Sequence, residues 1–150
     1  ITGEDLRWQR CHIKSTSLLG NVMHFQQAQN VQKDEIIMFN DNQLITEAAA
    51  CNVFVIKDNI IMTPKLNNQL LPGITRNILL QSLALEGGFT VFEQDINLTK
   101  LACADEVWIT SSSKEVGAVV KVDERVLGDG RPGPVWEAAQ HAYNRFKHTL

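Results

Sequence analysis

The chain has 150 residues, of which 44% are hydrophobic and 21% charged, with 9 Gly and 4 Pro. That is enough for one domain with a sizeable core, and it excludes collagen-like, low-complexity and highly charged disordered classes. A net charge of −3 and a pI near 5.8 give the molecule as a whole no attraction for nucleic acid or an anionic membrane surface, so neither is expected as a partner.

Leu6–Lys14 alternates weakly, with Trp8, Arg10, His12 and Lys14 on one face and Cys11 and Ile13 on the other, which predicts a strand. Leu18, Leu19, Val22, Phe25 and Gln26, followed by Ala28, Gln29 and Gln32, recur at helical spacing and predict an amphipathic helix packed on a sheet. Glu35–Phe39 and Gln43–Thr46 flank Asn40-Asp41-Asn42, and Val53–Ile56 and Ile60–Thr63 flank Lys57-Asp58-Asn59. Each set reads as a hairpin, because Asn and Asp tolerate left-handed backbone. After the break at Pro72-Gly73, Ile74–Glu86 has helical periodicity and ends at Gly87-Gly88, a helix-stop signal. Phe89–Asp95, Glu106–Thr110 and Val116–Val122 read as strands, with Thr99 as the N-cap of a short helix ending near Ala104. Asp123-Glu124-Arg125 is a predicted turn, and Val135–His148 a closing helix with Trp136, Ala139, Ala142, Tyr143 and Phe146 along one side.

No repeat or linker divides the chain. Strands and helices are interspersed without a βαβ rhythm, so the expected class is α+β: a mixed sheet or irregular barrel flanked by helices. The longest nearly apolar run, Ala48–Ile56, contains Asn52 and is far short of the ~20 residues a bilayer span needs. Cys11, Cys51 and Cys103 are dispersed and lack paired-ligand spacing, which argues against a disulfide framework or a metal site and favours a reducing, cytoplasmic compartment. The start at Ile1, without a signal-peptide pattern, reads as an internal cut or processed end.

Several residues could carry chemistry. Gly73-Ile74-Thr75 opens a helix, where backbone N–H groups and the dipole favour an anion; Thr75 could equally be only a cap. The hydroxyls of Thr110-Ser111-Ser112-Ser113 at a strand end could complete an anion cradle or form a solvated loop. Glu47 precedes a run of small residues, Ala48–Cys51, and is either a surface carboxylate or a buried one needing a cationic partner. Lys14 is either a solvated lysine or, in a desolvated pocket, a Schiff-base nucleophile. An amine for an aldehyde, an acid for a ring nitrogen and donors for a phosphate together are what a pyridoxal phosphate site requires.

Arg10-Cys11-His12-Ile13-Lys14-Ser15 continuing to Leu18-Leu19-Gly20-Asn21-Val22, then Glu47, Asn52-Val53-Phe54, Ile61, Thr63 and Leu71-Pro72-Gly73-Ile74-Thr75-Arg76, resembles the signature of the fold type IV (class IV) pyridoxal-phosphate-dependent aminotransferases, most of all their D-amino acid (D-alanine) branch. Separated elements in the right order are far more specific than a lone motif. The resemblance implies that residues 1–150 form the C-terminal, cofactor-binding domain and that an N-terminal domain is absent from them. It implies pyridoxal 5'-phosphate as cofactor, with Lys14 as Schiff-base lysine and proton carrier and Glu47 pairing with the pyridine nitrogen. Leu71 would pack on the ring, and Ile74, Thr75, Ser112 and Ser113 would hold the phosphate. Arg7 falls near the active site of relatives without an assigned role. Ala49, Ala50 and Cys51 stand where relatives often carry serines.

The implied reaction moves an amino group between D-amino acids and 2-oxo acids, in a homodimer. Branched-chain aminotransferase and aminodeoxychorismate lyase share the fold and the lysine. An alternative of another class is a catalytically incomplete cofactor-binding or interaction module. The substrate clamp is expected in the missing domain, so the isolated chain is expected to be inactive.

Overall fold

The computed structural model describes residues 1–16 and 18–149, and among these it forms mixed sheets with helices packed against them. β1 (Thr2–Glu4) runs parallel to β2 (Ile37–Phe39), which pairs antiparallel with β3 (Ile45–Ala48). The central sheet contains β4 (Asn52–Lys57), β5 (Ile60–Thr63), β6 (Thr90–Glu93), β7 (Glu106–Ser111) and β8 (Glu115–Val119), in the order β6-β5-β4-β7-β8. Both expected hairpins form, and Gln43, Asp58 and Asn59 in their turns take positive φ. β5 and β6 are parallel, because α2 (Ile74–Glu86) crosses over between them.

β4 lies at the centre, with Val53, Phe54, Val55 and Ile56 fully buried, as expected of a strand covered on both faces. On one face, Val53, Val55, Val107 and Ile109 pack with Ile37, Ile45 and Ile96. On the other, Phe54, Ile56 and Trp108 pack against Leu79 and Leu83 of α2 and Ala139 and Tyr143 of α4 (Pro134–Lys147). The Phe54 and Trp108 rings stack with centroids 6.2 Å apart. Each such buried side chain contributes roughly 1.5–3 kcal/mol, so this sheet and its two helices dominate the core.

Four local expectations need correction. Leu6–Lys14 is not a strand but a series of turns, with Cys11 buried and Trp8, Arg10, His12, Ile13 and Lys14 all exposed. Its alternation fails because Arg7 is drawn inward to carboxylates and the Cys11 N–H is bound to Asn68 O, 2.8 Å away. The helix α1 (Leu19–Asn30) does form, but it buries His24 and Ala28 while Leu18, Leu19, Val22 and Met23 are exposed. The His24 ring nitrogens lie 2.7 Å from Gly20 O and 2.9 Å from Glu4 O, and that anchoring turns the apolar side outward. The short helix α3 (Leu98–Ala102) is capped by Asn97, which accepts from Lys100 N, not by Thr99. Finally, the Val116–Val122 strand is divided into β8 and β9 (Lys121–Val122), and β9 forms a hairpin with β10 (Arg125–Val126) through a turn in which Asp123 has positive φ. Among the described residues no helix is long and apolar enough to cross a membrane.

Candidate active site

Several of the candidate groups, Glu47, Leu71 and the start of the helix at Gly73, meet near the end of the central sheet where β4 begins and β7 ends. Asn52↔Thr110 is the terminal register pair there, and the strand ends lead directly into the segments that carry the candidate groups. Glu47 lies on β3, all four residues of which are buried. Its Oε1 accepts from Arg7 Nη1 at 2.5 Å, and its Oε2 accepts from Leu71 N at 3.0 Å and Asn52 Nδ2 at 3.5 Å. The surface alternative for Glu47 is therefore excluded, and Leu71 is brought to it directly.

Arg7, only 8% exposed, is shared between two acids. Its Nε donates to Asp5 Oδ1 at 2.9 Å and its Nη2 to Asp5 Oδ2 at 2.8 Å and Gln69 O at 3.0 Å. Asp5 Oδ2 also accepts from the Thr46 hydroxyl at 2.7 Å. Burial alone would raise the Asp5 pKa, but the bonds from Arg7 and Thr46 hold it below the usual carboxylate value. Burial pushes the Glu47 carboxyl up, and Arg7 and the Leu71 N–H only partly offset this. Although burial opposes its charge, Arg7 is held more firmly protonated by Asp5 and Glu47. One cation between two carboxylates leaves a net negative charge in a largely dry site. A carboxylate has about four lone-pair positions, so Glu47 retains capacity for one more donor, and a cationic one is favoured.

The second part of the site is the start of α2. Its N-cap is Gly73, whose backbone is extended and which supplies no side-chain cap. Thr75 lies inside the first turn, so it is not the cap; it is buried, whereas Ile74 is exposed. A Cβ on Gly73 would collide with Asn52 Oδ1, so glycine is what allows the helix start to approach β4. Nearby on β7, the buried Thr110 hydroxyl has no hydrogen-bond partner among the described residues. An uncapped helix start beside an unpartnered buried hydroxyl fits a phosphate. Ser112 and Ser113 are exposed in the turn after β7, where Ser113 Oγ lies 3.3 Å from Ser111 Oγ.

Lys14 is exposed in irregular backbone and makes no hydrogen bond or ion pair among the described residues. The segment leading to it is tethered at Arg7 and at Cys11, whose thiol pKa is raised by burial and feels the charges of Arg7, Asp5 and Glu47. Two cavities of about 430 and 480 Å³ lie elsewhere, one by Trp108 and Gly133 and one by Ile60 and Phe92.

Residues 3–122 match the amino-transferase class IV family. The chain belongs to the class IV aminotransferases. It is 43% identical over 142 residues to the D-alanine aminotransferase of Bacillus licheniformis, covering 95% of this chain and 50% of that protein. Among solved structures, the Escherichia coli branched-chain amino acid aminotransferase superposes with a TM-score of 0.82 at 30% identity, over 95% of this chain and 49% of that one. A Legionella pneumophila protein assigned as a 4-amino-4-deoxychorismate lyase gives 0.84 at 26% identity, over 95% and 54%. An aminotransferase from Brucella abortus, bound to the cofactor PLP, gives 0.78 at 26% identity, over 86% and 45%. The chain thus spans about half the length of the curated relatives it matches. The α+β class expected from the sequence agrees with these class IV domains.

Within this class IV chain, the sequence pointed to Thr110 as one hydroxyl of an anion cradle but not to its burial without a partner, and it missed the partnership of Arg7 with Asp5 and Glu47. The only advance signal for that partnership was the requirement that a buried Glu have a cationic partner; nothing local designates a residue 40 positions away.

Proposed function

We propose that this chain is the C-terminal, cofactor-carrying domain of a D-amino acid aminotransferase, which moves amino groups between D-amino acids and 2-oxo acids. The observation that carries the reading is the buried Glu47 carboxylate, held by Arg7 and the Leu71 N–H with bonding capacity to spare. The 43% identity to a D-alanine aminotransferase supports the D-amino acid branch; the branched-chain aminotransferase and the lyase assignment among the structural neighbours keep those reactions as alternatives of the same fold.

Pyridoxal 5'-phosphate supplies an electrophilic aldehyde and an electron-withdrawing ring. Glu47 would accept a hydrogen bond from the protonated ring nitrogen, and the net negative charge of Asp5, Arg7 and Glu47 favours that proton. Leu71 would lie against the ring. The amides at the start of α2, with the hydroxyls of Thr75, Thr110, Ser112 and Ser113, would hold the phosphate, and the exposed Ile74 flanks them. Lys14 supplies the nucleophilic amine and then carries the proton to and from the substrate α-carbon. In the same reading a further N-terminal domain and a second subunit complete the site and clamp the substrate carboxylate. The exposed Leu18, Leu19, Val22 and Met23 of the α1 region supply apolar surface for that assembly. A cytoplasmic location belongs to the same reading.

The test is borohydride reduction of the cofactor-loaded intact protein followed by peptide mapping. Label is expected on Lys14; label on Lys57 or Lys65 instead overturns the assignment. Assaying the same protein with D-alanine, L-leucine and aminodeoxychorismate separates the three reactions, and turnover of D-alanine is the expected result. A protein that takes up cofactor but turns over none of them is the catalytically incomplete module.

A further inference from the structure

Glu35 lies two residues before β2, and its side chain is only 8% exposed. Its Oε1 accepts from the backbone N–H groups of Ile36 at 3.1 Å and Ala49 at 3.2 Å. Its Oε2 is approached by Cys51 Sγ at 3.7 Å and by Lys114 Nζ at 3.5 Å. Two of these partners, Ala49 and Cys51, belong to the turn joining Glu47 to Asn52. Lys114 belongs to the other side of the site: it follows Ser113, and its N–H donates to Ser111 Oγ at 3.2 Å. A buried carboxylate needs a cation, and this one takes it from the serine turn. Burial raises the Cys51 thiol to about 11, which keeps it neutral between the two.

We propose that Glu35 and Lys114 form a latch that fixes the Ser111–Ser113 turn against the Ala48–Asn52 turn, and so sets the position of the phosphate-holding hydroxyls. Both are positioning residues, since neither has to touch the cofactor. The inference rests on the phosphate cradle proposed above. Lys114 is half-exposed and its ammonium lies 3.5 Å from the carboxylate, so the energetic effect expected is that of a partly solvated ion pair, about fivefold in affinity.

The experiment titrates the intact apoprotein with pyridoxal phosphate and with pyridoxal, which lacks the phosphate, following absorbance. The wild type is expected to prefer pyridoxal phosphate. K114M should weaken pyridoxal phosphate about fivefold while leaving pyridoxal within twofold, and K114R should restore most of the loss. E35Q, which keeps a backbone-amide acceptor but not the charge, should weaken pyridoxal phosphate in the same direction, and the double variant should lose no more than either single one. If E35Q instead tightens pyridoxal phosphate, Lys114 acts on the phosphate directly and the latch is overturned; so too if K114M changes neither ligand or both equally. A wild type without preference between the two ligands overturns the phosphate cradle itself and the latch with it.

Discussion

Two helices on the same face of the central sheet begin at a glycine in extended backbone, α2 at Gly73 and α4 at Gly133. At α4, the Glu106 carboxylate accepts from Val135 N at 3.0 Å and Trp136 N at 2.8 Å, and also from the Trp108 indole N–H at 3.0 Å. The protein has built its own anion into that helix start, and every donor there is a neutral group of the fold. At α2 no side chain reaches the first amides among the described residues, and the Thr110 hydroxyl nearby is left without a partner. The same physics, orphan N–H groups and a positive dipole end, is saturated at one helix and left open at the other. Saturation is what a structural junction requires, whereas spare bonding capacity at the start of α2 is what the proposed phosphate site requires.

The largest effects should separate the two ends by what they damage. Glu47→Ala in the intact protein should lower transamination at least about a hundredfold, the scale of losing one preorganised charge partner, while cofactor affinity falls much less. The comparison is of kcat against the Kd for cofactor, and near-normal turnover would make Glu47 structural. Glu106→Ala should do the reverse. It leaves two backbone N–H groups and a buried indole N–H unpaired, costing about 3 kcal/mol of stability and visible as a lower Tm, while protein that remains folded keeps its cofactor affinity. Gly133→Ala should act like a milder form of the same lesion, because its methyl would overlap the Glu106 carboxylate.

A smaller effect distinguishes the two carboxylates on Arg7. The Asp5 pKa is held below its ordinary value of 3.8, so Asp5 contributes stability at pH above that value and loses it as pH falls through its folded pKa. The stability difference between wild type and Asp5→Asn should therefore be largest near neutrality and shrink in strong acid. Denaturant titrations at pH 7 and pH 3 check this; a difference that grows on acidification contradicts the ion-pair account. Asp5→Asn should also reduce turnover, since Arg7 would then neutralise Glu47 alone and remove the net negative charge that favours a protonated ring nitrogen.

How much of this was legible in sequence follows the range of the forces involved. Helix α2 spans the residues its periodicity predicts, Ile74–Glu86, because Pro72-Gly73 and Gly87-Gly88 fix both ends locally. The hairpins were legible for the same reason. Leu6–Lys14 was misread because long-range bonds determine its path: Arg7 reaches Glu47 and Gln69, and Cys11 reaches Asn68. The apolar side of α1 was recognised but its direction was not, since a histidine between two carbonyls outweighs a weak stripe of leucine and valine. Within the site, Glu47 could be suspected from its motif, but Arg7 reaches it from a turn segment 40 residues away, and the Thr110 hydroxyl is left unpaired by the register of β7 on β4; no local pattern encodes either.

The smallest predicted effect is the sharpest test of the contrast between the two helix starts. A buried hydroxyl with no partner carries a desolvation cost that a methyl of the same shape does not. Thr110→Val should therefore leave the cofactor-free protein as stable as before or more stable, by up to about 1 kcal/mol, an unusual sign for a change in a core strand. With cofactor the sign should reverse, because the hydroxyl that was idle becomes a donor to the phosphate and its loss weakens binding. Calorimetric Tm of wild type and variant, each with and without pyridoxal phosphate, gives both signs in one experiment. If Thr110→Val lowers Tm without cofactor and leaves the ligand-induced increase unchanged, the hydroxyl serves the fold, and the α2 end of the sheet is as self-sufficient as the α4 end.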